Sequence, residues 1–387
     1  MACPKLDFVY FDAGGGHRSA ALALQAVIAG EGYGWDVRLV NLQDILDPLD
    51  VFRKLTGIRL EDIYNLLLAK GWTLGSAHLL PMMHGVIRVY HSSQVKLLTE
   101  FWGKRPPDMV VSLVPNFNRA LFQSLQKAVP HVPFVSVLTD LADYPPHFWM
   151  EKQPEQYFIC GTPQALEQTR RIGHPAERAF LVSGMILRPQ FYETNPNPEV
   201  TPEDRAEGRR RLGLYPDLPT GLVLFGGEGS NTMYAIAERL GNSPVDQQLI
   251  MICGRNAKLR ERLGRSKTRN RLHIEGFTKE IPRFMRLSDF FVGKPGPGSI
   301  SEAIQMNLPV IVESNSWTLP QERYNAEWVR EQGVGIVLGN FRGIEAAVRE
   351  LLANGHLAGM KEKISQFDNR AVFEVPGLLE RILAERR

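Results

Sequence analysis

Cysteine is scarce in this chain: Cys3, Cys160 and Cys253 are the only three among 387 residues, and they lie far apart. An odd, dispersed set excludes a disulfide framework and points to a reducing compartment. Long apolar runs are also missing; none approaches the roughly eighteen residues of a membrane-spanning helix. The start, Met1 to Asp7, has no apolar core of a secretion signal and leads straight into an apolar strand, so a cytoplasmic protein is expected. The net charge of +3 is too small to imply nucleic acid.

Charge is instead clustered. Seven cationic residues fall between Lys258 and Arg271 against one acid, Glu261, and a second group comprises Arg205, Arg209, Arg210 and Arg211. Without interleaved aromatics these do not suit single-stranded nucleic acid. Two readings stand: solvated protein surface, or a peripheral contact with anionic lipid on the cytoplasmic membrane face.

Twelve short apolar runs alternate with helix-length segments. In the first half they are Phe8 to Phe11, Val37 to Leu42, Met109 to Val114, Phe134 to Leu138, Tyr157 to Ile159 and Phe180 to Val182. In the second half they are Leu222 to Phe225, Leu249 to Cys253, Leu272 to Ile274, Phe290 to Val292, Pro309 to Val312 and Gly335 to Leu338. Continuous apolar strands separated by helices predict an α/β protein with parallel sheets covered on both faces, here as two Rossmann-like domains. The first domain is placed at 1–193 and the second at 205–365, joined by a proline-rich linker at 194–204, with a final helix over 366–387. Thr201 before Pro202 reads as a helix cap. Within the first domain, 51–103 breaks the alternation with Met, Leu and Trp. Its periodicity predicts helices that serve either as core or as an adaptable apolar acceptor surface.

Glycine turns after strands carry the chemistry. Gly293 to Ser299 follows one apolar strand and precedes a helix, as a phosphate cradle would. It is not a Walker loop, because Lys294 precedes the glycines and proline follows it. Pro295 and Pro297 lack amide hydrogens, which suits one diphosphate better than an enclosed triphosphate. Asp12 to Ser19 forms another turn, with Gly15 and Gly16 allowing close approach and His17 placed as a general base. Ser19 takes the place of the third glycine of a dinucleotide fingerprint, so that motif is not met. Asp140, after the strand Phe134 to Leu138, can orient a reacting hydroxyl or His17, or cap a turn. In the second half, Gly227 and Gly229, Arg255 and Asn256, and Phe277 follow successive strands. Glu302 follows the glycine-proline loop, and Gln321, Glu322 and Asn325 fall at helical spacing. Lined along one sheet edge, these would make a nucleotide-sugar site.

These segments resemble a known family. Asp12 to Ser19, Thr139 and Asp140 with His147 and Trp149, Gly184 to Phe191, Cys253 to Asn256, Gly276 and Phe277, Gly293 to Ala303, and Gln321 to Asn325 occur in family order. They are similar to the monogalactosyldiacylglycerol synthases and processive diacylglycerol glucosyltransferases of glycosyltransferase family 28. The resemblance implies a GT-B fold, two Rossmann-like domains facing across a cleft that closes around the substrates, with the last helix crossing back to the first domain. It implies uracil near Phe277, ribose at Glu302, diphosphate at Gly298 and Ser299, and sugar hydroxyls at Gln321, Glu322 and Asn325. It further implies His17 as base, Asp140 beside it, inversion at the sugar, a UDP-hexose donor, a lipid acceptor such as diacylglycerol, and no metal or other cofactor. Pro295 stands where relatives more often carry a small residue, and Tyr144 to Pro146 alters the spacing before His147. Three other readings share the motifs: a UDP-sugar 2-epimerase, a soluble natural-product glycosyltransferase, and a UDP-sugar sensor without catalysis.

Overall fold

The computed structural model describes residues 3–12, 15–49, 89–152, 155–192 and 201–385. Most of the apolar segment at 51–103 and the proline-rich stretch 193–200 lie outside the described residues, as do Ala13 and Gly14. The described residues form two compact units. One holds the chain up to Pro189 together with the residues from Asn369 onward, and the other runs from Gln190 to Asp368.

In the first unit the strands are β1 (Lys5–Tyr10), β2 (Asp36–Asn41), β3 (Met109–Ser112), β4 (Phe134–Val137), β5 (Tyr157–Cys160) and β6 (Ala179–Leu181). They pair in parallel in the order β2-β1-β3-β4-β5-β6, with Leu6 opposite Met109 and Phe8 opposite Val111. All residues of β3, β4 and β5 are buried, which is why these strands read as unbroken apolar runs. The second unit repeats the plan with β7 (Thr220–Leu224), β8 (Gln248–Ile252), β9 (Leu272–Glu275), β10 (Phe290–Gly293), β11 (Val310–Glu313) and β12 (Gly335–Leu338). Their order is β12-β11-β10-β7-β8-β9, again parallel throughout. Each of the twelve runs expected from the sequence is a strand.

The winding places the functional edges. Each sheet begins with a strand that ends up central: the chain builds outward on one side, then crosses to the other. The order therefore reverses between β1 and β3 in one sheet and between β7 and β10 in the other. Loops at the carboxyl ends of such strand pairs splay apart and leave a crevice for ligands.

The helix Ala371–Ala384 belongs to the first unit and packs on the helix Gly16–Gly30. Its apolar stripe, Val372, Val375, Leu379 and Ile382, is buried. Its start is fixed by side chains: Asn369 Nδ2 donates to Met185 O (2.9 Å), Arg370 N to Ser183 Oγ (2.6 Å), and Ser183 N to Glu374 Oε2 (2.8 Å).

Thr201 caps the helix Pro202–Arg211 in a capping box with Asp204. The basic group on that helix is largely committed to the fold. Arg209, 5% exposed, donates to Leu287 O, Pro216 O and Asp289 Oδ2, the last at 2.7 Å. Arg205 reaches the other oxygen of Asp289 at 2.7 Å, and Thr220 N donates to Asp289 as well. Arg210 and Arg211 pair with Glu207. Two of the four cations in this cluster therefore neutralise one inward carboxylate.

Candidate functional site

In the first unit, β1 turns through Gly15 (φ 80°) into the helix Gly16–Gly30, so His17 sits in the first helical turn beside the β1/β3 reversal. Among the described residues, a Cβ at Gly15 or Gly16 would meet nothing within 4 Å. The His17 ring bonds through Nδ1 to Thr139 Oγ1 at 2.9 Å and lies 6.0 Å from the Trp149 ring, centre to centre. Part of the residue still meets solvent, whereas the ring itself is densely surrounded. Proton affinity follows the ring. Loss of solvation pushes the pKa down to about 4, against the opposing influence of a backbone hydrogen bond with Leu113. His17 is thus neutral at pH 7, with a hydroxyl fixing one nitrogen.

The segment after β4 is wound on Asp143. Its carboxylate accepts from His147 N (2.9 Å) and Trp149 N (2.6 Å), and its own amide donates to Gln168 Oε1 (2.8 Å). Burial is the largest influence on this carboxyl and raises its pKa. His147 has φ 67°, bending the chain so that Trp149 returns under the strand ends. There Trp149 Nε1 donates to Asp140 Oδ2 at 2.8 Å, and Asn118 Nδ2 holds Trp149 O at 2.8 Å. Asp140 is 7% exposed. The Trp149 indole is thus one partner of Asp140, and the Thr139 hydroxyl one partner of His17. Sequence reasoning quoted Thr139 and Trp149 without seeing these roles and passed over Asp143, because the bonds depend on how the segment folds back.

In the second unit the turns after β7 and β8 interlock. Gly254, with φ 59°, brings the place of its Cβ within 2.1 Å of Gly227 O, and a Cβ at Gly229 would lie 2.5 Å from Cys253 O. Neither site accepts a side chain without displacing backbone. Arg255 joins a third loop to these two: it pairs with Glu228 at 2.7 Å while its guanidinium lies 4.6 Å from the centre of the Phe277 ring. Phe277 is 53% exposed, an aromatic face offered to solvent. Asn256 instead caps the helix Ala257–Gly264 through Leu259 N (2.9 Å).

The glycine-proline loop leaves β10 across the crevice from the β7 turn. It starts the helix Pro297–Gln305 with Pro297 in its first turn, and Gly298 is exposed with open space before its Cα. Ser299 and Glu302 on the same helix are half-buried. Gly298 and Glu302 share a face at i, i+4, with the positive end of the helix dipole at Gly298. The helix Pro320–Gln332 braces this loop. Lys294 Nζ donates to Glu322 Oε1 at 2.8 Å and Asn325 Nδ2 to Pro295 O at 2.9 Å. Asn325 is 1% exposed, and its Oδ1 has no hydrogen-bond partner among the described residues. Gln321 is half-buried one position before Glu322. The residues expected for a donor thus gather at the strand ends of one sheet, and His17 and Asp140 at those of the other.

Two six-stranded parallel sheets wound in this way define the GT-B class. Solved structures with the same architecture include MurG of Acinetobacter baumannii (TM-score 0.60, 12% identity, 98% of this chain and 99% of that one) and the UDP-GlcNAc 2-epimerase of Neisseria meningitidis (TM-score 0.60, 13% identity, 97% and 100%). Within that class, residues 222–374 match the glycosyltransferase family 28 C-terminal domain, and the chain is related to enzymes that glycosylate diacylglycerol. It is 29% identical over 359 residues to the chloroplastic monogalactosyldiacylglycerol synthase of Spinacia oleracea, and 25% identical over 339 residues to the processive diacylglycerol beta-glucosyltransferase of Bacillus subtilis. The alignments cover 88% and 84% of this chain, but 64% of the spinach protein's length against 83% of the Bacillus one. Among the described residues no helix is long and apolar enough to cross a membrane.

Proposed function

We propose that this protein is an inverting hexosyltransferase that moves a hexose from a UDP-sugar to an acceptor hydroxyl, with diacylglycerol as the acceptor. The observation that carries the reading is His17: a neutral imidazole at the reversal point of the first sheet, fixed at Nδ1 by Thr139. A neutral, half-buried imidazole at that place suits proton removal from a hydroxyl. The acceptor oxygen then attacks the anomeric carbon from the face opposite the diphosphate. The bond to the β-phosphate oxygen breaks, UDP leaves, and an α-linked donor gives a β-glycoside. The second unit would hold the donor, with uracil against Phe277, ribose at Glu302, diphosphate over Gly298 and Ser299, and sugar hydroxyls at Gln321, Glu322 and Asn325. Amides and the dipole of the helix Pro297–Gln305 supply the charge stabilisation that a leaving diphosphate requires, so no metal is invoked.

The direct test is release of UDP from a panel of UDP-hexoses, with and without diacylglycerol in vesicles. The reading expects release that depends on both the hexose and the lipid. Sugar isomerisation without any acceptor would identify an epimerase instead, and UDP-sugar binding without release a sensor.

A further inference from the structure

Lys294 follows β10 inside the crevice where the second sheet reverses its order. A Cβ built on Gly226, in the turn after β7, would lie 3.9 Å from Lys294 Cε, and one on Gly296 would lie 3.5 Å from it. The lysine stem therefore runs between the two glycine turns that flank the crevice. Its ammonium ends on Glu322 Oε1 at 2.8 Å, where Glu322 is 8% exposed and the Lys294 side chain 38%.

This pairing bears on a problem of charge. Glu322 places an anion at the start of the helix Pro320–Gln332, beside the loop expected to cradle a nucleoside diphosphate. A carboxylate so little exposed is weakly screened, and like charges at close range in such a setting oppose binding. On the same helix Asn325 contributes only an amide, to Pro295 O, and Arg323 donates through Nε to Thr318 O. Lys294 supplies the cation.

We propose that Lys294 is a positioning residue of the donor site: by neutralising and fixing Glu322, it lets a nucleoside diphosphate settle on the glycine-proline loop beside a buried carboxylate. This rests on the reading of the second unit as the donor half. The alternative role, a direct cation for the phosphates, makes an opposite prediction for paired substitutions.

The test is calorimetric titration of the full chain with UDP, which lacks the hexose whose hydroxyls are assigned to Glu322. Lys294→Met leaves the Glu322 charge uncompensated and should weaken UDP binding about tenfold or more. Lys294→Arg keeps the charge and should retain it. The double variant Lys294→Met with Glu322→Gln removes both charges and should bring UDP affinity back to within about threefold of wild type. A merely structural lysine would not give that recovery. Wild-type affinity in Lys294→Met, or a double variant as weak as the single one, would overturn the proposal. If Lys294→Met does not fold, Glu322→Gln alone decides: unchanged or tighter UDP binding supports the proposal and weaker binding overturns it. A wild-type chain that does not bind UDP would defeat the donor-site reading, and the inference with it.

Discussion

If His17 is held neutral by its surroundings, its titration must appear as stability. An ordinary histidine in the unfolded chain takes up its proton near pH 6.5, whereas His17 in the folded chain does so near pH 4. Between those values the unfolded chain binds more protons, so folding is favoured least at the acid end. The contribution is fully present above pH 6.5 and is lost as pH falls toward 4. A difference of this size is worth about 3 kcal/mol at pH 4. Burial also raises the pKa values of Asp143 and Glu151, so His17 is not alone in making stability depend on pH. The comparison is therefore with His17→Gln, which keeps those carboxyls and removes the imidazole. Urea unfolding of both proteins from pH 7 to pH 4 should show wild type losing about 3 kcal/mol relative to the variant. In parallel, kcat/KM of the wild type should stay level from pH 7 to about pH 5 as far as the His17 base is concerned. A stability difference that does not change with pH, or a ring titrating near 6.5 by NMR, would refute the reasoning.

Four further outcomes follow. Asp289→Asn leaves Arg209 and Arg205 without their shared carboxylate and should destabilise the second unit by about 3 kcal/mol, read by chemical unfolding. Gly254→Ala must displace the Gly227 carbonyl and should cost about 2–4 kcal/mol, together with a loss of UDP affinity by calorimetry. Asp143→Asn places an amide against one of two backbone donors and should cost about 2 kcal/mol, with slower transfer as Trp149 loosens. Treatment with EDTA should leave transfer unchanged, since amides and a helix dipole are proposed to carry the leaving-group charge.

The strands were legible because a parallel strand buried on both faces has no polar alternation to obscure it: Met109–Ser112 and Phe134–Val137 are buried at every position. Strand ends followed by glycine then located both candidate edges, since parallel winding brings all carboxyl ends to one side. Contacts across distant segments were not legible. Arg205 and Arg209 looked like surface charge, and the carboxylate that takes them, Asp289, lies on the far side of three strands of sequence. Thr139 could not be told from its neighbour Asp140 as the partner of His17. The choice depends on a turn wound around Asp143 that sends Trp149 to Asp140. The apolar segment at 51–103, read as an acceptor surface or core, lies mostly outside the described residues, so the acceptor rests on kinship.

The central claim is that His17 takes the acceptor's proton while the donor is held by the other unit. His17→Ala, assayed side by side for UDP binding by calorimetry and for hexose transfer to diacylglycerol, tests it most directly. The account predicts UDP affinity within about twofold of wild type and transfer reduced by about a hundredfold or more. Transfer that survives the substitution, or UDP affinity lost in proportion to it, would contradict the account.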